Sequence, residues 1–169
     1  MTKNKKVAVI MGSDSDLAVM KPCIATLLKF GVECEVRVMS AHRTPSEVED
    51  FAKNAESAGF GAIIAAAGKA AALPGVLAAY TPLPIIGVPI KASSLDGLDA
   101  LLSMVQMPPG VPVATVAIDG AENAALLAVQ ILATESPELR EKLKRHKLEM
   151  AEGVKKKDAA LKEKLDEMM

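Results

Sequence analysis

The stretch "KVAVIMGSDSDLAVMKPCIATLLKFGVECEVRVMS", Lys6 to Ser40, changes its pattern twice. "KVAVIMG" is a short apolar run bounded by glycine, the mark of a strand buried on both faces. "SDLAVMKPCIATLLKFG" follows with apolar residues at helical spacing and Gly31 as its stop. "VECEVRVMS" then alternates apolar and polar residues, as a strand does. A strand, a helix and a second strand in this order predict a parallel pair joined by a crossover.

The pattern continues along the chain. "TPSEVEDFAKNAESAG" predicts a helix with Thr44 as N-cap and Pro45 in first position, ending at Gly59. "FGAIIAAAG", "PIIGVPI" and "VPVATVAI" are three more apolar runs, separated by helical segments around "PGVLAAYT" and "GLDALLSMVQM" and followed by "AENAALLAVQILAT". Strands alternating with helices predict a doubly wound α/β domain, a mostly parallel sheet covered on both faces. With 169 residues, the chain reads as one domain over 1–169. From Ser136 onward it becomes a charged helical extension opened by the pair Ser136-Pro137. There the sparse Leu139, Leu143, Met150 and Val154 suit either a neighbouring subunit or a solvated helix.

Composition narrows the function classes. Half the residues are hydrophobic but only 2% are aromatic, so the core is aliphatic and alanine-rich. Twenty Lys and Arg against 21 Asp and Glu leave a net charge of -1, which offers no general attraction to nucleic acid or to an anionic membrane. The start "MTKNKKVAVIMGSDSD" has too short an apolar run for a secretion signal, and no later run is long enough to span a membrane. A cytoplasmic location is expected. Cys23 and Cys34 lack any metal-ligand spacing and read as reduced, structural thiols.

Ligands of an open parallel sheet gather beyond the carboxyl ends of its strands. Four such segments carry chemistry here: "MGSDSD" (Met11 to Asp16), "SAHRTP" (Ser40 to Pro45), "AAAGKAAALPG" (Ala65 to Gly75) and "VPIKASSLDG" (Val88 to Gly97). The first offers a glycine, hydroxyls and helix-start amides to a phosphate or ribose, but is equally a capping sequence. Asp14 and Asp16 have no third acidic partner, so no metal site is expected. In the second, His42 is a candidate proton carrier and Arg43 a planar fork for phosphate, although a plain surface turn capped by Thr44 fits the same residues. In the third, Gly68 offers unusual backbone freedom among small side chains. Lys69 and Lys91 are candidate counter-ions, and His146, among the charges of the tail, reads as surface. Neither a GxGxxG nor a GxxxxGK[ST] pattern is present.

Taken in order, these segments with "SLDGLDALLS", "VQMPPGVPVATVAI" and "NAALLAVQIL" closely resemble the N5-carboxyaminoimidazole ribonucleotide mutase family, PurE class I, from about Val7 to Leu132. The resemblance implies a three-layer flavodoxin-like subunit, an octamer whose C-terminal helix reaches neighbours, and a purine-biosynthetic reaction without cofactor or metal. In that reaction the substrate's carboxylate leaves the exocyclic nitrogen as CO2 and rejoins the ring at C4. His42 matches the family's general acid/base. Gly12, Ser13, Ser15 and Asp16 match its ribonucleotide-binding turn, and Ser40 and Arg43 its substrate and phosphate contacts. Ala41, Ala67, Gly68, Lys69, Ala72 and Leu73 match further substrate-site positions.

The third segment departs from the family pattern, "AGAGGAAHLPG" or "AGAGKAAHLPG". Ala66 stands where that pattern has a loop glycine, and Ala72 where it has a second active-site histidine. The expectations are therefore a mutase, a direct CO2-dependent carboxylase of aminoimidazole ribonucleotide, or a weakly active variant or scaffold.

Overall fold

The structure, a computed structural model, describes residues 5–169. The first residues of the N-terminal stretch read against a secretion signal, 1–4, lie outside them. Contacts divide the chain into two compact units, one ending at Leu132 and the other running Ala133–Met169.

The first unit is a five-stranded sheet whose strands are all parallel. They are β1 (Lys6–Met11), β2 (Cys34–Val38), β3 (Phe60–Gly68), β4 (Ile85–Ile90) and β5 (Ala114–Thr115), in the order β2-β1-β3-β4-β5. The helices are α1 (Leu17–Phe30), α2 (Pro45–Asn54), α3 (Leu73–Tyr80), α4 (Leu98–Val105) and α5 (Ala121–Leu132). Strand alternation sends Ile63, Ala65 and Ala67 of β3 into one core cluster with Val48 of α2, Leu77 of α3 and Met104 of α4. The even-numbered Ala62, Ile64 and Ala66, also buried, face the other side, where α1 packs on α5 and α5 on β3. The result is the expected doubly wound, flavodoxin-like three-layer architecture.

The chain crosses from one side of β1 to the other between β2 and β3. This order creates a switch point beside β1, and its strand ends open a crevice there.

Local chemistry explains the boundaries. Gly31 closes α1 in the left-handed conformation, φ 74°. The first two residues of the expected helix, Ser15 and Asp16, belong instead to a 3₁₀ turn, Asp14–Asp16, because Ser13 Oγ accepts from the Ser15 amide and tightens it. α2 ends ahead of Gly59, where Asn54 Nδ2 donates to the Asp50 carbonyl and Ser57 Oγ to that of Asn54. The second bond uses one of the last four carbonyls of the helix, which lack an intrahelical partner.

β5 is only two residues long, although "VPVATVAI" predicts more. Past it, the Val116 and Asp119 amides bond singly to the Gly87 and Pro89 carbonyls. A strand residue points its N–H and C=O to the same side, so the donor Pro89 lacks would face this short edge, where least pairing is lost.

Cys23 and Cys34 are free. Burial pushes the Cys23 thiol up to about 12 and raises that of Cys34, so neither supplies a thiolate near neutrality.

The second unit contains α6 (Pro137–Met168). As the Ser-Pro pair predicts, Ser136 caps it, its Oγ accepting from the Leu139 amide at 3.3 Å. Arg140 donates back to the carbonyls of Ala133 and Thr134. No residue of α6 is buried, though His146, expected at the surface, is half-buried. Among the described residues no helix is long and apolar enough to cross a membrane.

Candidate functional site

The loops after β1, β2, β3 and β4 enclose a cavity of about 650 Å³. Its lining takes in Gly12, Ser13, Ser15 and Asp16 after β1, and Ser40, Ala41, His42 and Arg43 after β2. Gly68, Lys69, Ala70, Ala72 and Leu73 come from the end of β3 and the start of α3; Ile90, Lys91 and Ala92 come from the end of β4. Every position carried by the resemblance lines the cavity except Ala67, a buried residue of β3 whose side chain joins the core. Ala70, Ile90 and Ala92 are additions. Their segments were legible as strand ends, but small apolar side chains carry no chemical signal of a site.

The loop after β2 is built by Thr44. Instead of capping α2, its hydroxyl accepts from the Ser40 amide at 3.0 Å and donates to the Ser40 carbonyl at 3.3 Å. This closes the turn on which His42 and Arg43 stand. The Arg43 guanidinium donates from Nε to Ser40 Oγ at 3.3 Å and from Nη2 to the Gly12 carbonyl at 2.8 Å. Of its five N–H groups, the remainder are presented by an already oriented plane. The Gly12 amide in turn donates to the Ala66 carbonyl at 3.0 Å, so the ends of β1, β2 and β3 are tied together.

Two expectations for the loop after β3 need correction. Gly68 does not use left-handed angles; its value is space, since a Cβ there would meet the Ile90 carbonyl oxygen at 3.3 Å. The left-handed residue is Lys69, φ 56°, where the family pattern has glycine as its commoner form. Ala66 is not in a loop at all. It is a fully buried strand residue whose methyl faces α1 and α5, away from the cavity wall. Ala72 does stand on that wall, half-buried at the start of α3.

Asp16 is the only carboxylate among the lining residues, against the cations Arg43, Lys69 and Lys91. Burial, the largest effect, lifts its carboxyl above the ordinary value, aided slightly by Asp14 and opposed by hydrogen bonds from Ser13 and Ser15. A carboxyl with a raised folded pKa binds more protons folded than unfolded, so stability falls as pH rises through the window above 3.8. Asp16→Asn is therefore expected to raise the melting temperature at pH 7, with the gain shrinking as the pH is lowered toward 3.8 and below. Thermal unfolding across pH tests this, and an Asn variant less stable at pH 7 contradicts it.

Among the described residues no group of three or more His, Cys, Asp or Glu side chains is placed to hold a metal ion. A preoriented Arg, a hydroxyl-rich turn and an imidazole at a switch point together define a class: an α/β domain with a strand-end cavity whose lining suits a small anion. The AIR carboxylase family model matches residues 6–153, and the chain belongs to that family.

It is 60% identical over 145 residues to the N5-carboxyaminoimidazole ribonucleotide mutase of Pyrococcus abyssi, covering 86% of this chain and 83% of that one. Its identity to the mutase of the same name from Mycobacterium tuberculosis strain H37Rv is 54% over 156 residues, 92% of this chain and 90% of that one. The crystal structure of Treponema denticola PurE superposes with a TM-score of 0.85 at 30% identity, covering 93% of this chain and 98% of that one.

Proposed function

We infer that the chain isomerises N5-carboxyaminoimidazole ribonucleotide to 4-carboxy-5-aminoimidazole ribonucleotide in purine biosynthesis. The observation that carries this reading is the convergence of one imidazole, three cations and one buried carboxylate in a single strand-end cavity. The chain as a whole is slightly acidic, so the cations make a local field suited to an anionic ribonucleotide. Arg43 and the hydroxyls of Ser13, Ser15 and Ser40 take the phosphate end, and the Asp16 carboxylate accepts from ribose hydroxyls.

The reaction then needs one proton carrier used twice. The protonated imidazole of His42 gives its proton to the exocyclic nitrogen as the nitrogen–carboxylate bond breaks. The products of that half are aminoimidazole ribonucleotide, CO2 and neutral imidazole. Ring carbon C4 attacks the CO2 carbon, forming the new C–C bond, and His42 removes the C4 proton to restore the aromatic ring. Atoms and charge balance without a cofactor, and the imidazole ends as it began. Ala41, Ala70, Ala72, Leu73, Ile90 and Ala92 line the same cavity, and an apolar wall holds CO2 away from water until it is captured.

The assay supplies N5-carboxyaminoimidazole ribonucleotide and, separately, aminoimidazole ribonucleotide with CO2. Efficient turnover of the first supports the mutase; efficient use of CO2 with none of the N5-carboxylated compound overturns it. The same reading places the chain in the cytoplasm as a homo-octamer, with the exposed Met150, Val154 and Leu161 of α6 available for contact between copies.

A further inference from the structure

Lys91 lines the cavity at the end of β4, and its two ends are held differently. Its amide donates to Asp119 Oδ1 at 2.9 Å, while the Asp119 amide donates to the Pro89 carbonyl at 2.8 Å, so the backbone is pinned. Its ammonium instead meets Asp96 Oδ1 at 3.2 Å, in a pair 60% and 81% exposed. An exposed pair of this kind contributes little and is readily exchanged. Asp96 is presented by a turn in which Leu95, Asp96 and Gly97 all have positive φ, of 57°, 51° and 91°.

The sheet order sets Lys91 apart from Arg43. Arg43 follows β2 but its guanidinium reaches the Gly12 carbonyl at the end of β1, and Lys91 follows β4, two strand spacings from β1, or about 10 Å. A ribonucleotide with its phosphate on Arg43 extends its base, and the carboxylate attached to it, toward β3 and β4. On the reading of the site given above, we propose that Lys91 is a substrate-binding residue for the carboxylate, paired with Asp96 and transferred to the ligand on binding.

Two variants test this, Lys91→Met and Asp96→Asn, the latter chosen because asparagine tolerates the left-handed backbone. Both side chains are exposed, so the fold is retained. Lys91→Met should raise KM for the N5-carboxylated substrate by about 10-fold or more, the weight of a hydrogen bond to a charged group, with kcat changed less. Asp96→Asn should lower KM by up to about fivefold, and the gain should vanish in the double variant.

Calorimetry with aminoimidazole ribonucleotide, which lacks the carboxylate, separates the two anionic groups. Unchanged affinity in Lys91→Met supports the proposal, and an equal loss for both ligands assigns Lys91 to the phosphate and overturns it. Binding of both ligands with no effect of Lys91→Met also overturns it, leaving the proposed function intact. A chain that binds neither ligand overturns both.

Discussion

His42→Asn is expected to lower kcat by about 10² to 10⁴-fold, the usual weight of a positioned acid/base group. KM should change little. The turn carrying His42 is held by the Thr44 hydroxyl on Ser40 and by Arg43 on Ser40 and Gly12, and none of these bonds uses the imidazole. The side chain is exposed and packs into no core cluster, so asparagine keeps the scaffold and the phosphate contacts while removing the proton carrier. Steady-state kinetics on the N5-carboxylated substrate, with a melting curve to show the fold unchanged, provide the check. A variant within tenfold of the parent kcat would take His42 out of the proton path.

The layers of this fold were legible because its central strands, β1, β3 and β4, are buried on both faces and the helices that flank them on one. "GAIIAAA" has no polar residue to spare for solvent, and Phe60–Gly68 is buried almost throughout. What periodicity does not report is pairing. The two-residue β5 looks in sequence like the other strands, since its apolar residues face a helix whether or not its backbone completes a ladder. β2 shows the same limit. Its alternation is clear, yet Val36 and Val38 are 38% and 50% exposed because it is an edge strand.

The candidate site was legible where its side chains carry charge or a labile proton, as at Asp16, His42 and Arg43. It was misread where the backbone decides. Nothing in the letters "AGK" says that Lys69 rather than Gly68 takes the left-handed conformation, since glycine here answers a contact from the neighbouring strand. Thr44 was read as a cap because threonine before proline favours one, but its hydroxyl met the Ser40 backbone first. Ala66 needed the strand boundary: two residues from the end of β3, its methyl belongs to the α1/α5 layer.

That last distinction leaves Ala72 as the departure that bears on rate, and Ala72→His is expected to raise kcat by about 10²-fold, the effect of one well-placed donor at a developing charge. The position can take the change. Its backbone, φ -73° and ψ -19°, suits any L residue, its side chain makes no capping bond that would be lost, and it borders a cavity of about 650 Å³. An imidazole there would stand at the N-terminus of α3, in the cavity that Arg43, Lys69 and Lys91 also line, and would give the leaving carboxylate or the departing CO2 a donor that the methyl cannot. Ala66→Gly, by contrast, only removes a methyl from the packed α1/α5 layer, so it should cost stability without raising kcat. The two variants therefore separate a missing catalytic group from a merely altered segment. If Ala72→His folds and binds aminoimidazole ribonucleotide but leaves kcat unchanged, the alanine is no deficit, and His42 carries both proton transfers unaided.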